Sequence, residues 1–331
     1  MIALETIRSA QERLRPFTKR TPLERSRSLS ERLGANVYLK LELFQRTGSF
    51  KSRGALNQFL ELSAAARARG VVGVSGGNFA QGAAYAGGRL GVKTRMIMPQ
   101  ATPENYLAAT RGYGAEVELA PDIASAFARL EDYAREGWTV VHPYDAESMM
   151  AGSGVVGLEI IQDLPDVTDV IVSIGGGGLI AGVTSALKAI KPELRVWGVE
   201  TEGADAMARA LAAGEVVTIA PTSLARTLSA PYVSARALEV VQQEVEAVLV
   251  VPDAEAYRAQ RLLMERAKVV PELAAACTLS AAERLAGGPG PGFGPDSHVA
   301  LLICGGNVSL EDLCAYRARF EPEAASQTSL K

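Results

Sequence analysis

The residue with the most distinctive chemistry in this chain is Lys51, within Thr47-Gly48-Ser49-Phe50-Lys51-Ser52-Arg53-Gly54. Its neighbours are small or apolar, and no acidic side chain lies between Glu42 and Glu61. A lysine ammonium on a flexible stem loses its charge readily once desolvated, which is how lysines become nucleophiles and Schiff-base formers. The same stretch also reads as a surface lysine opening a helix. The choice between the two depends on what else the chain places at comparable turns.

Three such turns exist. Ser173-Ile174-Gly175-Gly176-Gly177-Gly178-Leu179 follows an apolar run and opens a helical one. Glycines there let backbone N–H groups approach an anion, and a helix N-terminus adds a favourable dipole. Phosphate is the natural ligand. The pattern is not GxGxxG and lacks the Lys-Ser/Thr of a P-loop, which disfavours a nucleoside triphosphate. Ser75-Gly76-Gly77-Asn78-Phe79-Ala80-Gln81-Gly82 is a second turn, in which Asn78 offers both a donor and an acceptor. Cys304-Gly305-Gly306-Asn307 is the third. Taken singly, these also read as a tight strand-helix connection, an Asn helix cap and a core-filling thiol. Taken together, they supply an imine-forming amine, a phosphate cradle and polar contacts for a ring, which suits pyridoxal 5'-phosphate.

Positioning these groups requires an alternating framework. Residues 1–20 read as an amphipathic helix running into Pro16, Thr21–Leu23 as an extended lead-in, and Val37–Leu41 as a strand. From Val71 the chain alternates strand-like runs (71–74, 94–98, 116–119, 139–142) with helical ones closed by glycine. A second series runs through 169–174, 195–200, 248–251 and 298–303, with helices predicted at 255–268, 272–285 and from Leu310. Gly287–Pro295 reads as a loop. This rhythm predicts parallel sheets with helices on both faces, and ligands bind such sheets at the carboxyl ends of the strands. The expected partition is a large domain from 1–48 and 146–331 with a small domain, 49–145, inserted in it.

Composition narrows the function classes. The 331 residues carry a net charge of −3, with 48% hydrophobic and 6% aromatic residues. There is no basic excess to attract nucleic acid. No run of 18 uncharged apolar residues predicts a membrane span, and the N-terminus lacks the marks of a signal peptide. Three cysteines without CxxC spacing suggest neither a disulfide framework nor a zinc site, and two histidines disfavour a histidine-driven active site. A soluble, cytoplasmic α/β protein is expected.

The order of Ser49-Phe50-Lys51-x-Arg53-Gly54-Ala55, Ser-Gly-Gly-Asn, Gly-Gly-Gly-Gly-Leu and Cys-Gly-Gly-Asn resembles the serine/threonine dehydratase family, from about residue 5 to 320. Thr110–Val117 and Met264–Val270 extend the likeness. The resemblance implies a two-lobed α/β fold, each lobe a mostly parallel sheet with flanking helices, like the tryptophan synthase β (fold-type II) enzymes. It implies an ammonia-lyase converting L-threonine and/or L-serine to 2-oxobutanoate or pyruvate by α,β-elimination. Lys51 would hold the cofactor as an imine and act as base. Phe50 would pack beside the ring and Asn78 bond its phenolic oxygen. Gly175, Gly176, Gly177, Gly178 and Leu179 would bind the phosphate, and Cys304 would face the pyridine nitrogen. Ser75, Gly76, Gly77 and Asn78 would hold the substrate carboxylate. A homodimer or higher homo-oligomer is expected.

The chain also departs from the pattern. Gly76 stands where serine-racemising relatives carry an acid/base serine, which disfavours racemisation. Phe79 replaces a usual histidine, Arg226 an aspartate, and Tyr106 a common lysine; Glu272 keeps an acidic position at an altered helix start. Arg226 reads either as a surface arginine or as a partner for a substrate's second carboxylate. Glu200, Ala204 and Asp205 resemble part of a divalent-metal site of some relatives, but Ala206 stands where its second acid is expected, and the same residues also read as a surface acidic cluster opening a helix. With no C-terminal regulatory domain expected, end-product control there is not expected either. The alternatives are a same-fold racemase, a dehydratase of another 3-hydroxy amino acid, and a catalytically inactive cofactor-binding relative.

Overall fold

The computed structural model describes residues 1–288 and 292–322; the predicted loop 287–295 therefore lies partly outside the described residues, as does the end of the large domain. Among the described residues ten strands form two sheets. They are β1 (Leu23–Arg25), β2 (Asn36–Lys40), β3 (Val71–Val74), β4 (Thr94–Pro99), β5 (Glu116–Ala120), β6 (Thr139–Val140), β7 (Asp169–Ser173), β8 (Arg195–Thr201), β9 (Ala247–Val251) and β10 (His298–Leu302). The larger sheet has the order β1-β2-β10-β7-β8-β9 and the smaller β5-β4-β3-β6. All pairs are parallel except β1 with β2, where Leu23 lies opposite Lys40. β1 is thus a short antiparallel edge strand where the sequence predicted only an extended lead-in.

Strand order decides which turns meet. β10 lies between β2 and β7, with Val299 opposite both Val37 and Asp169. The chain leaving β10 at Cys304 therefore runs beside the chain leaving β2 toward Lys51 and the chain leaving β7 toward the glycines. β7 is buried along its whole length, as expected of a parallel strand covered on both faces. The smaller sheet sends the Ser75–Asn78 turn from the end of β3 toward the same place.

A helix over Glu147–Asp163, which the sequence reading leaves unassigned, crosses behind the site. It packs on the Gly178–Ile190 helix through glycines. A Cβ added at Gly154 would stand 2.9 Å from the Gly182 carbonyl oxygen, and one at Gly182 would stand 2.1 Å from that of Met150. Residues that look like helix breakers here permit backbone-to-backbone contact.

Other boundaries shift for local reasons. The first helix spans Leu4–Leu14, ending before Pro16. The predicted 255–268 helix is α-helical over Asp253–Leu262, widens into a π turn over Leu263–Ala267, and stops at Lys268 in the left-handed region. The Leu310–Phe320 helix begins with a capping box, Ser309 and Asp312 bonding each other's backbone N–H.

One continuous apolar core joins the faces of both sheets, and a smaller cluster of Val72, Val74, Ile97, Ala120, Ala126 and Tyr133 fills the outer face of the four-stranded sheet. Among the described residues no helix is long and apolar enough to cross a membrane.

Candidate active site

Lys51 is the first residue of the Lys51–Glu61 helix, and its backbone is set by two preceding left-handed residues, Thr47 (φ 59°) and Gly48 (φ 69°). Its Nζ donates to the carbonyl oxygen of Pro143 at 2.7 Å and lies 5.1 Å from the Phe50 ring centre. Burial lowers its pKa to about 8; the nearby Cys304 and Glu272 pull weakly the other way. An amine so placed gives up its proton far more easily than an ordinary lysine, and the neutral form is the one that attacks a carbonyl or accepts a proton.

Lys51 opens into a cavity of about 370 Å³. Every cofactor and substrate residue expected from the sequence lines it: Phe50, Lys51, Ser75, Gly76, Gly77, Asn78, Gly175, Gly176, Gly177, Gly178, Leu179 and Cys304. Glu200 and Ala204 do not.

The glycine turn forms a close-walled cradle. A Cβ at Gly176 would stand 2.2 Å from the Tyr144 ring, and one at Gly177 would stand 2.4 Å from the Ala237 Cβ. Gly177, with φ of 90°, is the N-cap of the thirteen-residue Gly178–Ile190 helix. Backbone N–H groups and a helix N-terminus thus face the cavity with no side chain in the way, as a phosphate requires. Gly177→Ala should destabilise the fold by about 2–4 kcal/mol, combining left-handed strain and overpacking. It should also weaken binding of a phosphate-bearing cofactor. Denaturant unfolding and a cofactor titration check both parts.

Cys304 is buried. Burial, with the negative charge of Glu272 adding to it, pushes its thiol up to about 12, so it stays neutral. Its Sγ lies 3.4 Å from the Ser173 hydroxyl. Asn78 begins the Asn78–Leu90 helix and donates through Nδ2 to both oxygens of Glu272, at 2.9 and 3.2 Å.

Glu272 is the principal residue that sequence reading did not place in the site. It is 6% exposed and lines the cavity; it accepts from Thr227 Oγ1 at 2.9 Å, and burial raises its pKa. Its acidic position at a helix start was a visible signal; its meeting with Asn78, 194 residues away, was not. Tyr144, Thr227 and Ser173 also line the cavity.

The departures from the family pattern now have positions. Phe79 is buried and also lines the cavity. Tyr106 is buried on the same wall, and burial raises its pKa strongly. Arg226 sits at the rim, its Nη2 donating to Asp312 at 2.6 Å, so a second substrate carboxylate would have to compete with Asp312. His142 is held neutral. Burial lowers its pKa to about 4, and its Nδ1 accepts from the backbone N–H of Asp145 at 2.8 Å and of Tyr144 at 3.3 Å.

The residues present fit pyridoxal phosphate: the glycine turn, which packs against Tyr144, Ala237 and Leu228 only without side chains, lines the cavity at a helix N-terminus, and a desolvated amine faces the same cavity. Of the residues expected near a divalent metal, Asp205 keeps its Oδ1 buried without a hydrogen-bond partner, while Glu200 is engaged by the backbone. Both Glu200 oxygens accept backbone N–H groups, of Met207 and Ala208, at 2.8 Å, and burial raises its pKa to about 8. Ala204 closes a turn onto Thr201. Among the described residues no three His, Cys, Asp or Glu side chains gather to hold an ion. Glu200 thus receives the first N–H groups of the Ala206–Ala213 helix.

Comparison with known proteins agrees with the geometry. Residues 14–305 match the family described as pyridoxal-phosphate dependent enzyme. The L-threonine dehydratase catabolic TdcB of Staphylococcus aureus strain N315 is 39% identical over 314 residues, covering 94% of this chain and 90% of that protein. A T.th. threonine deaminase structure superimposes with a TM-score of 0.86 at 35% identity, covering 93% of this chain and 99% of that one. Maize serine racemase gives 0.90 at 30% identity, covering 98% of this chain and all of the other. A family match across residues 14–305 and a relative this similar over nearly the whole length establish that the chain belongs to the pyridoxal-phosphate dependent enzymes.

Proposed function

We propose that this chain is a pyridoxal phosphate-dependent ammonia-lyase that converts L-threonine and/or L-serine to 2-oxobutanoate or pyruvate plus ammonia by α,β-elimination. The observation that carries the reading is the pairing of Lys51, its pKa lowered to about 8, with a glycine-walled cradle across one cavity. The dehydratase and deaminase names of the similar proteins support it.

When bound, the cofactor supplies an electron sink for charge developing at the substrate α-carbon. The chain's own residues do the rest. Lys51 would hold the cofactor through its Nζ and would take the α-proton of the bound amino acid. Ser75, Gly76, Gly77 and Asn78 hold the substrate carboxylate, and Gly175–Leu179 hold the phosphate. The Cys304 thiol, neutral because its pKa is raised to about 12, would offer a pyridine nitrogen beside it no counter-charge to keep it protonated. That would limit the electron sink and favour prompt loss of a β-substituent. The bonds broken are Cα–H and Cβ–O; the bond formed is Cα=Cβ. Water leaves, and the released enamine tautomerises and hydrolyses to a 2-oxo acid and ammonia.

Proton transfer from one face is central to this reading. A Cβ at Gly76 would stand 2.8 Å from Thr102 Oγ1, so the position offers no acid group of its own and little room for one. The domain partition, 1–48 with 146–331 around an inserted 49–145, is proposed from the two sheets, whose strands segregate along those ranges. A homo-oligomer is proposed from exposed apolar side chains, among them Phe44, Val270 and Leu310. A cytoplasmic location is proposed from the free thiols of Cys277, Cys304 and Cys314.

The test is an absorption spectrum of the protein loaded with pyridoxal phosphate, followed by a 2-oxo acid assay over a panel of 3-hydroxy amino acids. A visible imine band that L-threonine or L-serine perturbs, with stoichiometric 2-oxo acid and ammonia, is the expected result. A band that none of the panel alters would point to a catalytically inactive relative.

A further inference from the structure

We propose that Asn307 is a positioning residue that fixes which way the Asn78 amide points and clasps the backbone leading into Lys51 against it. The inference rests on the reading of this cavity as the cofactor and substrate site. Asn307 Nδ2 donates at 2.8 Å to the Thr47 carbonyl oxygen and at 2.8 Å to Asn78 Oδ1. Asn78, its oxygen engaged, turns its Nδ2 to Glu272. The chain of bonds is anchored at both ends by groups that accept: a backbone carbonyl, and the oxygens of a carboxyl group that also receives Thr227 Oγ1. Both anchors impose the same polarity on the two amides between them. Asn78 lines the cavity, so that polarity decides whether a bound ring meets an N–H or a carbonyl oxygen.

The clasp holds a strained segment. Thr47 is one of only two non-glycine residues with positive φ among the described residues, and such a backbone persists where its surroundings over-determine it. Asn307 supplies part of that constraint from the side-chain direction. The backbone supplies the rest: Gly306 N–H donates to Gly48 O at 2.9 Å and Phe50 N–H to Cys304 O at 3.0 Å. A Cβ at Gly48 would stand 2.4 Å from Asn307 Oδ1, so the loop and the amide are in direct contact. The Cys-Gly-Gly-Asn turn thus ties the lysine loop to Asn78 and, through it, to Glu272.

The test uses Asn307→Asp, which keeps the shape but can only accept, so that Asn78 must turn its N–H groups toward residue 307. In the protein loaded with pyridoxal phosphate, the pH midpoint of the visible imine band should move by about one pH unit, the scale of one exchanged hydrogen bond. In the cofactor-free protein, the thermal destabilisation of Asn307→Asp and Asn78→Ala should be non-additive. In the unsubstituted protein, the side-chain amide protons of Asn307 and Asn78 should be strongly protected from exchange, a readout that survives if the variants fail to fold. A band midpoint that stays in place while stability falls would make Asn307 mere packing and overturn the proposal. So would free exchange of both amides. If the unsubstituted protein forms no imine band, the functional reading fails, while the exchange and stability readouts still judge Asn307.

Discussion

Replacing Lys51 with alanine should reduce turnover by about 10⁴-fold or more, the upper end of what one positioned proton-transfer group contributes, with loss of the covalent cofactor anchor added to it. The visible imine band should vanish with it. A steady-state 2-oxo acid assay and a spectrum check both, and full activity in the variant would falsify the mechanism. The same residue makes an opposite prediction for stability. In the cofactor-free fold its pKa is lowered to about 8, against roughly 10.4 for an unfolded lysine. Between those values the unfolded chain binds more protons, so wild-type stability rises as pH climbs through that window. Below it the full cost of burying the ammonium is present. Lys51→Met, which keeps the apolar stem, should therefore be more stable than the wild type at pH 7 when both lack cofactor. The gap should close by about pH 10.4. Parallel denaturant titrations at pH 7 and pH 10 would show this.

The second large effect is expected at Arg53, two residues further along the same helix. This guanidinium is wholly buried and forks onto two carboxylates: Nε and Nη2 donate to Glu42 at 2.8 Å, Nη1 and Nη2 to Glu159 at 2.8 and 2.9 Å. Lys40, equally buried, donates to Glu159 at 2.7 Å. Two cations thus face two anions beneath the helix that begins at Lys51, tying it to the end of β2 and to the Glu147–Asp163 helix. Arg53→Met would leave two buried carboxylates facing one lysine, and should cost about 3–5 kcal/mol at pH 7. The pH dependence gives the signature. Burial alone would push Glu42 up, but Arg53 and Lys40 hold its carboxyl below the usual range. In the wild type that contribution is present above the unfolded carboxylate pKa and is lost as pH falls through the lower folded value. In the variant Glu42 protonates more readily, so the deficit should shrink as pH falls from 7 toward 4. A deficit that instead stays constant over that range would mean packing, not charge, holds this layer together.

What could be read from the sequence was what is local. Lys51, the glycine cradle, the Ser-Gly-Gly-Asn turn and Cys304 sit at strand-to-helix junctions, and glycine punctuation between apolar runs marks those junctions in any parallel sheet. The long Glu147–Asp163 helix was not readable because it is buried on nearly every side. It has no polar face to set a period of 3.6, and its three glycines look like breaks rather than contacts. Glu272 and the Arg53 layer escaped for a different reason: their meaning lies in partners 194 and 106 residues away. At Glu200 an acid at the end of a strand serves a metal and a helix cap equally well in sequence, and its two backbone donors show the second of these uses.

The amine of Lys51 rests on the carbonyl of Pro143. A carboxylate there would hold the amine charged and idle, whereas a carbonyl accepts one of its protons without supplying a counter-ion. That oxygen belongs to the main chain, which no codon change can delete. Sequence drift can alter each side chain around this cavity and still leave the lysine its resting place.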